Sequence, residues 1–275
     1  MVMKRVIIIA SFVLGFLVAP AQAGALNNAN LVLWWTPVIY QQDDGLNPMA
    51  RENVFTAVNY DKDWRANNNW DNLPYYPPSP SVYYSLVESD THYFIGYYLY
   101  YPRHTSGSKH EHDMIGALVV VKKGSDNFGQ LELLLTYSND EWHKRSSSHV
   151  CCESNHPILK ISTGTHEIAN ERAQVGGAYP LPLPGSTIGT IRERGGYQLL
   201  DLQELWQHRN DIGQNRTFNR WGYFDSNSRL NTSAPWVWEY RRINWLARPA
   251  ELVQHIQGNG NKPVTYISNP YIGAQ

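Results

Sequence analysis

Residues 93–100 have the sequence Tyr93-Phe94-Ile95-Gly96-Tyr97-Tyr98-Leu99-Tyr100, which is dense in the aromatic and β-branched residues that favour strands. Similar apolar runs of strand length recur along the chain, at residues 117–121, 131–137, 157–162 and 264–267. Polar segments separate them, such as the loop at residues 102–109 and the hairpin connection Asp126-Asn127-Phe128-Gly129. Many short strands joined by such turns predict a mainly β protein with the architecture of a β-sandwich.

One helix and a single domain are predicted in addition. Four apolar residues recur at helical spacing: Leu199, Leu202, Leu205 and Trp206. The proline-rich stretches at residues 75–80 and 179–187 are too short to separate two domains. Cys151 and Cys152 are adjacent and cannot staple distant segments, so the hydrophobic core must hold the fold. We therefore expect residues 24–275 to form a single-domain β-sandwich with one or few peripheral helices.

The composition is that of a folded, nearly neutral protein. Lys and Arg total 23 against 24 Asp and Glu, so the chain lacks the basic excess that binds a nucleic-acid backbone. Apolar residues make up 42% of the sequence, which is enough for a core and excludes a disordered chain. The 10 Trp and 18 Tyr outnumber the 7 Phe, and rings with a polar tip suit partly wet binding surfaces. We expect no nucleic-acid partner.

The first 23 residues are predicted to be a signal peptide. Lys4 and Arg5 form a short basic region, residues 6–18 are apolar, and Ala21-Gln22-Ala23 is a small-residue cleavage site. The apolar run is shorter than the roughly 20 residues that span a bilayer, which disfavours an uncleaved anchor. We expect a secreted protein, extracellular or periplasmic, that is a monomer.

The histidines are concentrated in one part of the chain, with eight of the ten inside residues 92–166. The densest segment is His110-Glu111-His112-Asp113, which follows the loop histidine His104. On a strand, His110 and His112 would share one face and could bind one metal ion, and a β-bulge would let Asp113 join them. Imidazole with carboxylate suits zinc, iron or manganese, whereas a carboxylate-dominated site suits magnesium or calcium. The alternative is a solvated polar strand end.

A further histidine is predicted at the mouth of another strand. The apolar run at residues 157–162 ends, Gly164 turns the chain, and His166 follows. Side chains at strand ends often line sites on a rigid scaffold, so His166 is a candidate ligand of the same divalent cation. A hydrogen-bonded surface histidine is the alternative.

Tryptophans near the C-terminus are candidates for contact with a glycan or a lipid. Trp221 begins an aromatic stretch, and Trp236 and Trp238 follow Ala234-Pro235. Such rings either pack in the core or form a platform for a sugar or a lipid headgroup.

The order of these motifs resembles the necrosis- and ethylene-inducing-peptide-like (NLP) proteins. An aromatic strand ends in Tyr101-Pro102-Arg103-His104, and His110-Glu111-His112-Asp113 is similar to the family hallmark Gly-His-Arg-His-Asp-Trp-Glu. His166 after Gly164 is placed like the second His segment of the family. The segments 199–206 and 221–236 resemble its C-terminal helix and its Pro/Trp end. A related vacuolar-sorting-like family has a similar pattern, and the resemblance covers roughly residues 82–240.

The resemblance implies a secreted β-sandwich with a divalent cation near its membrane-facing end. In that family the cation helps to engage sphingolipid headgroups and supports cytolysis. Carried over by position, His110 and Asp113 match cation-site residues, and His112 matches the second His of the hallmark. His104 falls where the family has a carboxylate ligand in a loop, if two loop residues are deleted.

The chain also departs from the family pattern. Lys109 replaces the hallmark Gly, and Met114 and Ile115 replace its Trp-Glu, so one carboxylate ligand is missing. A site with more imidazoles and fewer carboxylates favours a softer transition metal over magnesium or calcium. This departure puts cytolytic activity in question even where the fold is kept.

Three functions are compatible with these sequence features. The first is cation-dependent binding to a membrane or glycolipid surface, as in a cytolytic toxin or virulence factor. The second is a metal-dependent hydrolase in which the histidine cluster activates water and Glu111 or Glu167 is the general base. The third is a carbohydrate-binding module that uses Trp221, Trp236 and Trp238. The sequence leaves open whether the protein is an enzyme.

Overall fold

The computed structural model describes residues 28–42, 51–171, 178–181, 196–260 and 262–273. The predicted signal peptide at residues 1–23 lies outside these residues, so its cleavage stays a prediction. Within the described ranges, none of the helices is both long enough and apolar enough to cross a bilayer.

Strands dominate the secondary structure. In chain order they are β1 (Val38–Gln42), β2 (Ser81–Ser89), β3 (His92–His104), β4 (His110–Lys122), β5 (Gln130–Ser138), β6 (Glu141–Ser146), β7 (Cys152–Glu153), β8 (His156–Ile161), β9 (Ile168–Ala169), β10 (Ala178–Leu181), β11 (Gln198–Asp201), β12 (Phe218–Arg220), β13 (Tyr223–Phe224), β14 (Glu239–Tyr240), β15 (Ile243–Asn244) and β16 (Tyr266–Ser268). The α-helices are α1 (Asn28–Trp34), α2 (Asn69–Asn72), α3 (Leu202–Gln207) and α4 (Pro249–Gln257).

The centre of the fold is a seven-stranded sheet with the order β11-β2-β3-β4-β5-β6, and β16 pairs with β2. Strands β2 to β6 form an antiparallel meander, whereas β11 pairs with β2 in parallel. The long hairpin of β3 and β4 is buried on both faces because its residues are apolar at successive positions. Tyr97 and Leu99 pack in one hydrophobic cluster, and Tyr98 and Tyr100 pack in another on the opposite side.

A second sheet covers one face of the first. Its strands have the order β10-β1-β8-β7, with β9 paired to β8. Ile39 of β1, Leu159 and Ile161 of β8 and Ile168 of β9 share a cluster with Tyr97 and Leu99 of the central sheet. Two sheets packed face to face form the predicted β-sandwich, which confirms the mainly β fold class.

The C-terminal residues cover the other face. Helices α3 and α4 and the hairpins β12–β13 and β14–β15 pack there, and the tryptophans Trp236, Trp238 and Trp245 fill the interface. The predicted helix near residue 200 is shorter than its pattern indicated. Leu199 belongs to β11, and α3 begins at Leu202, where the Asp201 side chain accepts the N–H of Gln203 and caps it.

Candidate functional site

A polar cleft lies at the end of the β3–β4 hairpin, where both strands leave the core. His104 and His110 are register partners, and their rings stack with centroids 4.5 Å apart. The cleft has a volume of about 210 Å³. Its walls come from the hairpin, from the β5–β6 turn and from one C-terminal loop: His104, His110, Asp113, Met114, Tyr137, Asn139, Asp140, Leu230, Asn231, Thr232 and Ser233.

His166 lies beside this cleft, in contact with Asp113 of its wall. The residue is fully buried, and its ring stacks on Tyr101 with centroids 3.7 Å apart. Its Nδ1–H donates to Asp113 Oδ2 at 2.9 Å, which leaves Nε2 as the ring nitrogen open to a further partner. Gly164 makes the approach possible with a φ of +75°, and its carbonyl accepts the N–H of Thr105 at 3.2 Å. The two loops are thereby held together at the site.

Two imidazole nitrogens at this site are buried without a hydrogen-bond partner among the described residues. They are His104 Nδ1 and His166 Nε2. A buried polar atom that lacks a partner is costly, so such atoms point to an unseen partner. Burial lowers the pKa of His104, and this outweighs the raising effects of the nearby Asp113 carboxylate and of a backbone contact between the ring and Ser106. Its ring is therefore neutral at neutral pH, which is the form that binds a metal.

The fit of a divalent cation follows from these donors. His104, His110 and Asp113 line one cleft, and Asp113 also orients His166, as a carboxylate does for a metal-bound histidine. In the described part of the chain, however, no three His, Cys, Asp or Glu side chains converge closely enough to hold a metal ion as they stand. The donor chemistry fits a cation, and binding would require the side chains of the hairpin end to close.

His112 is not part of this group, which corrects its predicted role as a ligand. Its backbone is left-handed, with a φ of +63°, and its ring is fully buried on the opposite side of the strand. Nδ1 accepts the Tyr100 hydroxyl at 2.7 Å, and Nε2–H donates to the Asp225 carbonyl at 2.8 Å. Because both nitrogens are satisfied, His112 is a structural residue of the core. Burial lowers its pKa to about 4.

The two carboxylates predicted as general bases do not face the cleft. Glu111 is buried, and it accepts the backbone N–H groups of Trp70 at 3.1 Å and Asn227 at 2.8 Å. Glu167 is exposed and accepts the side-chain amide of Asn139 at 3.0 Å. Neither is placed to activate water beside the histidines, which weakens the case for a hydrolase.

The predicted tryptophan platform is also corrected. Trp236 and Trp238 are each only 1% exposed, so neither ring can stack on a sugar at the surface. Trp221 is half-buried and packs edge-on against Trp206, with ring centroids 5.8 Å apart. These rings stabilise the C-terminal layer, because edge-to-face aromatic pairs are a preferred packing geometry in cores.

Sequence reasoning missed the part of the cleft that comes from the β5–β6 turn. Asn139 and Asp140 both have positive φ, at 51° and 59°, and Tyr137 donates its hydroxyl to Asp140 Oδ1 at 2.7 Å. An Asn-Asp pair between two strands is the sequence signal for such a tight turn. The loop at residues 230–233 carried no comparable signal.

No protein-family model matches the chain, and no curated protein matches it. The chain is distantly similar to solved NLP structures. One is NLPPya in complex with glucosamine, with 13% identity, 78% of this chain and 86% of that chain covered, and a TM-score of 0.43. Another is described as a toxin fold for microbial attack and plant defense, with 14% identity, 63% and 73% coverage and a TM-score of 0.39. A third is necrosis and ethylene inducing protein 2 from the causal agent of cocoa's witches' broom disease, with 14% identity, 64% and 75% coverage and a TM-score of 0.34. Likeness at this level transfers no function.

Proposed function

We propose that the protein is exported and binds a divalent cation in the cleft at the end of the β3–β4 hairpin. The cation would serve to engage a polar headgroup, either a sugar or a glycolipid, at a membrane surface. The single observation that carries this proposal is a pair of buried nitrogens without a hydrogen-bond partner in the described part of the chain. One is His104 Nδ1 in the wall of the cleft, and the other is Nε2 of His166, whose ring is hydrogen-bonded to the cleft carboxylate Asp113.

The proposed division of labour follows from the donors. His104, His110 and Asp113 would hold the ion, and His166 would either join them or orient Asp113 through their 2.9 Å hydrogen bond. A bound cation supplies positive charge and free coordination positions for hydroxyl or phosphate oxygens. The remaining walls of the cleft offer amides and hydroxyls from Asn139 and residues 231–233, which suit a sugar.

The ligand chemistry also predicts the kind of metal. Three imidazoles and one carboxylate favour zinc or another transition metal over magnesium or calcium. The first experiment is therefore the metal content of the purified mature protein, measured by mass spectrometry for the wild type, Asp113→Asn and His104→Ala. His149→Ala is the matched control, because His149 is an exposed histidine outside the cleft.

The expected result is one metal ion per chain in the wild type and in the control, with loss of the ion in both cleft variants. The second measurement is binding to glycosphingolipid vesicles, and leakage from them, with and without a chelator. Binding that the chelator abolishes supports the proposal, and leakage would add cytolysis. Absence of metal from the wild type, or equal retention in all variants, would refute it. Chelator-sensitive turnover of an ester, phosphoester or glycoside would instead favour the hydrolase.

A further inference from the structure

A second surface feature is the turn between β14 and β15. The turn residues Arg241 and Arg242 both have positive φ, at 52° and 67°. A two-residue hairpin turn of this shape prefers Asn-Gly, because a residue with a larger side chain is strained in the left-handed region. Both arginines are exposed. Because arginine is not the residue that this turn favours, the two exposed side chains are candidates for a role other than forming the turn.

Neighbouring side chains hold the tip of this hairpin in place. The Tyr240 ring lies between Trp142, with centroids 6.1 Å apart, and His255, with centroids 5.9 Å apart. The Arg241 guanidinium is 3.4 Å from His255 Nε2. The tip is therefore supported by β6 on one side and by α4 on the other.

A third cation lies on the same face. Lys144 is exposed and follows Trp142 by two residues on β6, so both side chains point to the same side of the sheet. Its Nζ donates to the Ile256 carbonyl at 3.1 Å, next to His255 in α4. We call Lys144, Tyr240, Arg241 and Arg242 the arginine-tip patch.

The acidic residues nearby offset the charge of the patch only in part, since Glu239 is a single carboxylate beside Arg241, Arg242 and Lys144. Among the ion pairs formed by the described residues, none includes Arg241, Arg242 or Lys144. Glu239 is exposed on β14, opposite Asn244. Glu141 lies 3.7 Å from His143 on the other face of β6. The patch is thus a local positive surface on a chain with a net charge of −1.

We propose that the arginine-tip patch docks on the phosphate groups of an anionic lipid bilayer. A two-residue turn is a convex tip, which meets a flat surface, whereas a soluble polyanion is usually held along a groove. Arginine pairs with phosphate through two parallel hydrogen bonds, and a tyrosine beside it suits the headgroup region. This contact needs no divalent cation, so it does not depend on the proposed function of the cleft.

The test uses vesicle co-sedimentation of the full mature chain in the presence of a chelator. Vesicles contain phosphatidylcholine alone or with about 30 mol% phosphatidylserine. The variant Arg241→Asn/Arg242→Gly installs the preferred turn, so its thermal stability should equal or exceed that of the wild type. The matched control is Lys62→Gly/Arg65→Asn, which removes two exposed cations elsewhere, one of them at a φ of +74°.

The wild type should bind the anionic vesicles, and higher salt should weaken binding. Because one basic residue near an anionic bilayer contributes about fivefold in partitioning, the double variant should bind about 25-fold more weakly while the control binds as the wild type does. Failure of the wild type to bind, unchanged binding of the double variant, or an equal loss in the control would each refute the proposal. Loss of heparin binding by the double variant, with no vesicle binding by the wild type, would assign the patch to a soluble polyanion instead. Because the whole assay is run in chelator, no divalent cation in the cleft contributes to the binding that is measured. Its result is therefore independent of the metal-binding test of the cleft.

Discussion

Acid should destabilise the fold through His112, the buried histidine that packs against the cleft-bearing hairpin. Its Nδ1 accepts the Tyr100 hydroxyl, because that hydroxyl itself accepts the Asn69 amide at 2.6 Å and must donate its proton to the ring. Protonation would place a second proton where Tyr100 already donates, inside a region with no water contact. Burial is the main cause that lowers the pKa of His112 to about 4, and the nearby His110 contributes in the same direction.

The sign and size of the effect follow from linkage. In the unfolded chain this histidine binds a proton below about pH 6.5, whereas in the folded protein it binds one only below about pH 4. The free energy of unfolding therefore falls as the pH falls through this window. At about pH 4.5 the stabilisation lost through His112 is about 2.5 kcal/mol, relative to pH 7. That is a sizeable part of the roughly 5–15 kcal/mol that stabilises a typical domain.

The assay is urea unfolding of the chelator-treated protein at several pH values, for the wild type and His112→Asn. Asparagine tolerates the left-handed backbone of this position and does not titrate. The variant should be less stable at pH 7 but should lose about 2.5 kcal/mol less than the wild type on going to about pH 4.5. Other histidines with lowered pKa, such as His104 and His156, act in the same direction in both proteins and cancel in the comparison. Parallel pH profiles would refute the reasoning.

Three further changes probe the scaffold, each by urea unfolding. Glu111→Ala should cost about 2–4 kcal/mol because it leaves two backbone N–H donors without an acceptor. Glu111→Gln should cost about 1 kcal/mol, and equal losses in the two variants would contradict this account. Gly222→Ala should destabilise by more than about 2 kcal/mol, since its φ is +74° and an added Cβ would lie 2.1 Å from Val237 Cγ1, and Val237→Ala should restore part of the loss. Asn244→Ala should cost about 2–4 kcal/mol because the buried amide donates one hydrogen bond and accepts two. Asn244→Asp should cost less because it keeps both acceptor contacts, and an equal loss would contradict this account.

The fold was largely predictable where strands are long and apolar. The run at residues 93–100 lies inside β3, and the runs at 117–121 and 131–137 lie inside β4 and β5. Helix α4 was missed because a segment of nine residues shows few turns of its apolar pattern, and the proline at its start, which is a helix-start signal, was not used. The helix was predicted to begin too early, at Leu199, because the apolar strand β11 runs directly into α3. Leucines of the strand and of the helix together then give an apparent helical spacing.

That the candidate ligands lie near one another was predictable, whereas the separation of His112 from them was not, and that they hold a cation stays a prediction. Sequence reasoning named His104, His110, Asp113 and His166, and the structure brings these four side chains together. It could not separate His112 from them, because alternation along an ideal strand places His112 on the face of His110. Nor could it find the burial of the C-terminal tryptophans, since a local stretch of Trp has the same composition in a core and on a platform.

The backbone at His112 explains how this division arises. The pairing of β3 with β4 keeps one register on both sides of this point, with Tyr101 opposite Asp113 and His104 opposite His110, so no bulge is inserted. By this register the position opposite His112 belongs to Pro102, which has no N–H to donate, and the ladder has no pair there. The interruption permits the positive φ, and alternation breaks there. His112 stays on the core side with Tyr100 and Phe224, whereas His110 lines the cleft together with Asp113, the pairing that a bulge was expected to provide. Because the buried His112 ring anchors this distortion, a change at His112 should alter the position of Asp113 without removing any proposed ligand.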